Sequence, residues 1–250
     1  MQDIYIDDKG EGYPIVLVHG FLGSSAMWSL QKKYLKNNFR LISPALPGFG
    51  ESYKAKSLNT INSMAKFILK CLDKKKINKF NLIGHSMGGM IAQEIIKIAN
   101  KRVKKAILFA TGPIGEIPGR FESIDTSILK IKKEGIKRSF TRIPQKWFVK
   151  GKKAKYFFYC KNAARRVSKK TAIDALIAMK KWNGLKNLKK INIKVLIIWG
   201  DKDLSYNIEQ INLLKKNISQ SKLNILKNCG HNVHLEKPQK FNNLVMKYFK

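Results

Sequence analysis

Phe80-Asn-Leu-Ile-Gly-His-Ser-Met-Gly88 is the stretch that decides the fold. Its first four residues predict a buried strand, and the residues from 90 to 99 predict a helix directly after it. A serine between two glycines at such a junction is typical of a turn so sharp that larger side chains two residues either side of Ser86 would collide. The turn would lift the Ser86 hydroxyl above the sheet, at a helix N-terminus whose N–H groups can hold an oxyanion. We therefore predict that Ser86 is a nucleophile.

Outward from this turn, short apolar runs alternate with amphipathic stretches. The apolar runs at 15–18, 40–43, 80–83, 106–110, 195–199 and 222–226 predict strands. Helical periodicity predicts helices at 28–35, 60–72, 90–99 and 238–249. Strands that alternate with helices favour βαβ units, so we expect an α/β protein with a mostly parallel sheet flanked by helices.

The alternation breaks once, between residues 111 and 194, where the apolar spacing is helical throughout. We predict an inserted helical cap over 111–194, and a core domain formed by 1–110 and 195–250. Glycine and proline punctuate the start of the insertion and predict a hinge-like entry; they are Gly112, Pro113, Gly115, Pro118 and Gly119.

Length and composition narrow the class of protein. The 250 residues are 44% hydrophobic, which is enough for one domain with a real core and argues against disorder. Every stretch long enough to span a membrane is interrupted by polar residues, and the acidic N-terminus lacks the apolar region of a secretory signal. Three widely spaced cysteines do not suggest a disulfide framework or a metal site. A cytoplasmic protein is expected.

The net charge of +34 raises nucleic acid or an anionic surface as a partner. Lysine supplies 43 of the 50 basic residues and is scattered along the chain, as the composition of an AT-rich genome favours, so we expect no specific nucleic-acid partner. The segment 111–194 nevertheless carries a net +18, from 23 basic and 5 acidic residues. Guanidinium groups grip carboxylates bidentately, and five of the seven arginines lie in this segment; these are Arg120, Arg138, Arg142, Arg165 and Arg166.

A serine nucleophile needs a base and an acid that orients the base. Among four histidines, His231 lies in a loop after the last predicted strand and is our candidate base, with His234 as the alternative. His19 and His85 fit structural roles better. The acid is expected at the C-terminal end of the strand before that histidine, where Asp201 and Asp203 both qualify.

Five stretches together resemble the α/β-hydrolase superfamily across nearly the whole chain. They are residues 19–23 (His-Gly-Phe-Leu-Gly), 46–50 (Leu-Pro-Gly-Phe-Gly), 84–89 (Gly-His-Ser-Met-Gly-Gly), 199–203 (Trp-Gly-Asp-Lys-Asp) and 230–238 (Gly-His-Asn-Val-His-Leu-Glu-Lys-Pro). The resemblance implies Asp203 as the acid, His231 as the base, and the amides of Phe21 and Met87 as the oxyanion hole. It also implies a helical cap and no metal or organic cofactor.

The function expected from this resemblance is hydrolysis of a carboxylic ester or thioester through an acyl-enzyme on Ser86. The alternatives are a methyl esterase for carrier-linked acyl groups, similar to the pimeloyl-carrier esterase, and an enzyme similar to menaquinone-pathway or C–C bond hydrolases that act on anionic substrates. A ligand-binding receptor on the same fold is the non-enzymatic alternative. The expected partner is a small ester or acyl substrate, free or attached to an acidic acyl-carrier protein, and the chain is expected to be a monomer or dimer. The predicted substrate pocket contains His19, Leu22, Trp28, Arg138 and Arg142.

Overall fold

The apolar runs form the strands of one sheet in the computed structural model, which describes residues 4–116 and 119–250. The strands are β1 (Ile6–Lys9), β2 (Pro14–Val18), β3 (Arg40–Pro44), β4 (Phe80–His85), β5 (Val103–Phe109), β6 (Lys194–Gly200) and β7 (Ser221–Leu226). Their order across the sheet is β1-β3-β2-β4-β5-β6-β7. Only β1 runs antiparallel to its neighbour, and the other pairs in this sheet are parallel. The predicted mostly parallel sheet is confirmed.

The antiparallel edge strand β1 was not predicted, because its sequence, Ile-Asp-Asp-Lys, has little apolar character. Ion pairs hold it to the core instead. Asp8 accepts hydrogen bonds of 3.0 and 2.8 Å from the Arg40 guanidinium and one of 2.8 Å from Lys75. Charged side chains on an edge strand also discourage further strand pairing.

Helices cover both faces of the sheet. They are α1 (Ser29–Leu35), α2 (Ile61–Lys74), α3 (Met87–Ala99), α4 (Ile124–Glu134), α5 (Ile136–Arg142), α6 (Phe157–Ala164), α7 (Lys169–Lys181), α8 (Ile208–Asn217), α9 (Val233–Glu236) and α10 (Pro238–Phe249). The apolar faces of α2, α3 and α8 belong to one buried cluster, and those of α1 and α10 to another on the opposite face. None of the helices within 4–116 and 119–250 combines the length and apolarity needed to cross a membrane.

The chain between β5 and β6 carries helices α4 to α7, as the helical spacing predicts. Hydrogen bonds tie this connection to the rest of the molecule at several points. The Trp182 indole donates to Glu94 at 3.3 Å, the Ser57 hydroxyl donates to Asp174 at 2.5 Å, and the backbone N–H of Phe121 donates to the carbonyl of Leu204 at 2.9 Å. Pro118 of the predicted hinge lies outside the described residues.

Candidate active site

Ser86 sits in the sharp turn that its sequence predicts, between the end of β4 and the first residue of α3. Its backbone has φ 55° and ψ −120°, a conformation that costs a non-glycine residue roughly 1–3 kcal/mol. The turn leaves no room for side chains at the flanking glycines. A Cβ on Gly84 would lie 2.5 Å from the carbonyl oxygen of Gly88, and one on Gly88 would lie 2.2 Å from that of Val18.

Hydrogen bonds from the sheet hold this strained turn in place. The Ser86 N–H donates to the carbonyl of Phe109 at 3.1 Å. The Ser86 carbonyl accepts from the Gly89 N–H and from the Thr111 hydroxyl, each at 2.8 Å. The exposed fraction of Ser86 is 7%, so the residue is almost completely shielded from solvent.

His231 and Asp203 form a buried pair, with 2.9 Å between His231 Nδ1 and Asp203 Oδ2. A carboxylate only accepts, so Nδ1 carries the proton and Nε2 is left free to act as a base. The other carboxylate oxygen accepts from the backbone N–H groups of Ser205 at 2.7 Å and Tyr206 at 3.3 Å. Asp201, the alternative acid, accepts instead from the Cys229 N–H at 3.3 Å.

The loop that carries His231 is fixed by Glu236, five residues further on. The Glu236 carboxylate accepts from the Gly230 N–H at 2.5 Å and from the Val149 N–H at 2.8 Å. The Asn232 N–H donates to the carbonyl of Trp147 at 3.1 Å. The candidate base is therefore held against the connection between β5 and β6.

A small cavity joins Ser86 to His231. Residues from the core and from the connection between β5 and β6 line it together: Phe21, Ser86, Gly115, Arg120, Ile124, Trp147, Met179, Ser205, Tyr206 and His231. The volume open to the centre of a water molecule is about 20 Å³, so the cavity holds roughly one water. A ligand much larger than a water molecule therefore needs this cavity to widen before it can reach Ser86.

The predicted oxyanion donors lie beside the turn. Phe21 lines the same cavity as Ser86, and Met87 is the first residue of α3. Gly20 brings the two segments together, because a Cβ there would lie 3.1 Å from the Cβ of Ser86. Within residues 4–116 and 119–250, neither the Phe21 N–H nor the Met87 N–H donates to a protein acceptor. Both amides are thus free for a ligand oxygen.

The remaining three histidines are buried and neutral. Desolvation lowers the pKa of His19 to about 4 and that of His234 to about 3. Desolvation, with the nearby His231 and His234 rings, lowers the pKa of His85 well below 6.5. The His85 Nε2 lies 3.3 Å from the carbonyl of His231, so the neutral ring can donate to the loop that carries the candidate base.

The five residues predicted for the substrate pocket are not among those that line the closed cavity at Ser86, so their contact with substrate stays a prediction. His19 is a structural residue: the Leu46 N–H donates to Nε2 at 3.1 Å, and Nδ1 donates to the Gly20 carbonyl at 2.9 Å. Trp28 is fully buried, with its ring 5.1 Å from that of His234. Leu22 is fully buried in the core.

The two arginines of that prediction also lie elsewhere. Arg138 is exposed on α5, and Arg142 forms an ion pair with the Glu122 carboxylate, which Lys130 contacts at 2.7 Å. Burial opposes ionisation of Glu122, but hydrogen bonds from Arg142, Lys130 and Ser127 outweigh it and lower the Glu122 pKa to about 2. These charges stabilise the connection rather than face Ser86.

Sequence reasoning missed Tyr206 and did not separate Arg120 from the other arginines. The Tyr206 ring stacks on His231, with 5.8 Å between centroids and 12° between planes, and its hydroxyl interacts with Ser86. The sequence feature that could have identified Tyr206 as a site residue is its position three residues after Asp203. Trp147 of the connection also lines the cavity, with its ring 5.8 Å from that of His231.

Comparison with known proteins assigns the family. Residues 13–238 match the family described as the alpha/beta hydrolase fold. The chain belongs to the α/β-hydrolase family. The esterase EaEST from Exiguobacterium antarcticum has a similar structure, with a TM-score of 0.90 and 25% sequence identity over 98% of this chain and 94% of that chain.

Two curated relatives extend the comparison. The pimeloyl-[acyl-carrier protein] methyl ester esterase of Nitrosospira multiformis is 26% identical and covers 95% of each chain. The dihydrolipoyllysine-residue acetyltransferase component of the acetoin cleaving system of Pseudomonas putida is 38% identical over 105 residues. That match covers 42% of this chain and 28% of the longer relative. Because the matched family and these relatives include esterases, the chain is identified as a hydrolase that acts on ester bonds.

Proposed function

We propose that the protein cleaves a carboxylic ester or thioester through an acyl-enzyme on Ser86, with Asp203 and His231 completing the triad. The observation that carries the proposal is the cavity shared by Ser86 and His231, with His231 Nδ1 held 2.9 Å from Asp203. In this arrangement Nε2 of His231 faces the cavity into which the strained turn presents the Ser86 hydroxyl.

The reaction follows from these positions. His231 Nε2 takes the Ser86 proton as the hydroxyl oxygen attacks the substrate carbonyl. The amides of Phe21 and Met87 hold the resulting oxyanion, each contributing about 3 kcal/mol in the transition state. His231 then protonates the leaving group, and a water activated by His231 releases the acid. Asp203 keeps the imidazole in the required tautomer throughout.

Residues 111–194 form the cap in this proposal, and 1–110 with 195–250 form the core. Five residues of this segment line the cavity, and they contribute half of its lining; they are Gly115, Arg120, Ile124, Trp147 and Met179. Because the closed cavity holds roughly one water, substrate enters when the cap moves away from Ser86.

A methyl ester on a carrier-linked acyl chain is the second candidate for the substrate. The full-length similarity to the pimeloyl-carrier methyl ester esterase favours it. The net charge of +18 on residues 111–194 suits an acidic carrier protein.

The test is steady-state hydrolysis of p-nitrophenyl esters, thioesters and carrier-linked methyl esters by the wild type and by Ser86→Ala. We expect Ser86→Ala to lose at least about 10³-fold in kcat and to keep its unfolding temperature. Asp203→Asn should lose a similar factor because it permits the wrong tautomer of His231. Retention of turnover by Ser86→Ala at unchanged stability would contradict the proposal.

A further inference from the structure

Arg120 is the one arginine of residues 111–194 that reaches the cavity at Ser86. Its position is set by the next residue, because the Phe121 N–H donates to the carbonyl of Leu204 at 2.9 Å. That bond docks the segment against the loop that also carries Asp203 and Tyr206. The guanidinium is therefore part of the cavity wall, whereas Arg138, Arg165 and Arg166 are exposed on the surface.

The positive charge of Arg120 is unpaired within the part of the chain that the structure describes. The guanidinium donates to the carbonyl oxygen of Glu122 at 3.2 Å and lies 5.1 Å from the centroid of the Phe121 ring. Two carboxylates influence it, those of Glu122 and Asp203. Both are already engaged, Glu122 by Arg142 and Lys130, and Asp203 by His231.

Partial burial makes this lone charge costly. Arg120 is half-buried, and desolvation lowers its pKa, although the group stays protonated as arginine does in proteins. A cation that loses part of its hydration without gaining a partner is destabilised unless something supplies the opposite charge. The missing charge can come from a ligand in the cavity.

Tyr206 supplies a second donor at the same place. Burial raises the pKa of the Tyr206 phenol to about 12, so its hydroxyl keeps its proton at neutral pH. It lines the cavity with Arg120 and interacts with the Ser86 hydroxyl. Arg120 offers a charged donor and Tyr206 a neutral donor beside Ser86. Together they can donate hydrogen bonds to the two oxygens of one carboxylate.

We propose that Arg120 and Tyr206 bind a free carboxylate of the substrate, so that the preferred substrate is a half-ester of a dicarboxylic acid. The inference rests on the proposed esterase function and narrows its substrate class. The carboxylate is held by Arg120 and Tyr206 while the ester carbonyl reaches Ser86, which orients the scissile bond.

The test compares esters matched in size and differing in charge. For the wild type, kcat/KM for monomethyl succinate, glutarate or adipate should exceed that for the dimethyl ester of the same acid. The expected preference for the best chain length is roughly tenfold to a hundredfold, the range for a hydrogen bond to a charged group. Arg120→Gln should lose most of this preference, chiefly through KM for the half-ester.

Arg165→Gln is the matched control, because it removes the same charge from the same segment at an exposed position outside the cavity. It should keep the wild-type preference. If Arg120→Gln and Arg165→Gln lost the half-ester preference equally, the preference would come from the overall positive charge of the segment, and the inference would be overturned. Equal loss of half-ester and dimethyl ester in Arg120→Gln would assign Arg120 a structural role and overturn it too.

Binding of free glutarate by the wild type provides a readout that does not depend on the folding of the variant. Glutarate should raise the unfolding temperature at least several degrees more than its neutral diamide, glutaramide, does at equal ionic strength. Turnover of dimethyl esters with no preference for half-esters would overturn this inference and leave the esterase proposal intact. Glutarate binding without hydrolysis of any ester would support the anion site and contradict the esterase proposal.

Discussion

Acidification should destabilise this protein well above the range in which carboxylates titrate, because it buries three neutral histidines. The pKa values of His19 and His234 fall from the ordinary 6.5 to about 4 and about 3, and that of His85 falls well below 6.5. Well above pH 6.5 both the folded and the unfolded chain hold these rings neutral, so the rings do not make the free energy of unfolding change with pH. Below it the unfolded chain takes up protons that the folded chain refuses, and stability falls.

The magnitude follows from these shifts. Between about pH 7.5 and about pH 5.5, His19 and His234 each lower the free energy of unfolding by about 1 kcal/mol, and His85 lowers it further in the same direction. That is a substantial part of the roughly 5–15 kcal/mol of a typical domain. Urea unfolding at a series of pH values, extrapolated to zero denaturant, measures the change directly.

His234→Phe isolates one of the three contributions. The ring of His234 packs between those of Trp28, Phe109 and Phe241 at centroid distances of 5.1, 5.3 and 6.1 Å, so phenylalanine can occupy the site without a proton to lose. Over the same pH interval, the free energy of unfolding of the variant should fall by about 1 kcal/mol less than that of the wild type. A wild-type change below about 1 kcal/mol, or an unchanged drop in the variant, would refute the reasoning.

Three further substitutions test other parts of the molecule. His231→Ala should lower kcat about 10³-fold or more, while His234→Phe stays within about tenfold of the wild type; the reverse order in an ester assay would identify His234 as the base. Glu122→Gln should lower the free energy of unfolding by about 2 kcal/mol in urea, because Arg142 loses its counter-charge. Gly88→Ala should abolish activity and reduce stability by at least about 1 kcal/mol, since the added Cβ meets a backbone oxygen of β2 at 2.2 Å.

Local sequence patterns predicted most of the fold. Strands β2 to β7 appear in sequence as dense apolar runs, because both faces of a parallel sheet are buried. Helix α2 buries one face with the spacing from which a helix was predicted at 60–72: Ile61, Met64, Ala65, Ile68, Leu69 and Leu72 are all buried. Strand β1 and helix α8 were missed. β1 is held by ion pairs at an edge, and α8 combines two buried apolar residues with a polar surface.

The candidate site likewise has a part that the sequence predicted and a part that it did not. Ser86, Asp203 and His231 follow the ends of strands, so motif and strand order were enough to narrow the candidates. The family resemblance then selected Asp203 over Asp201. The pocket wall depends instead on how the connection between β5 and β6 packs on the core. Charge and residue type alone did not distinguish Arg120, which lines the cavity, from Arg142, which pairs with Glu122. That difference comes from long-range contacts.

The most direct test of the nucleophile is covalent labelling followed by mapping of the modified residue. A fluorophosphonate should add once to the native protein, and peptide mass spectrometry should place the adduct on Ser86. His231→Ala should slow the labelling strongly, since Nε2 no longer takes the serine proton. An adduct on another residue, or labelling of Ser86→Ala at the wild-type rate, would contradict the assignment of Ser86 as the nucleophile.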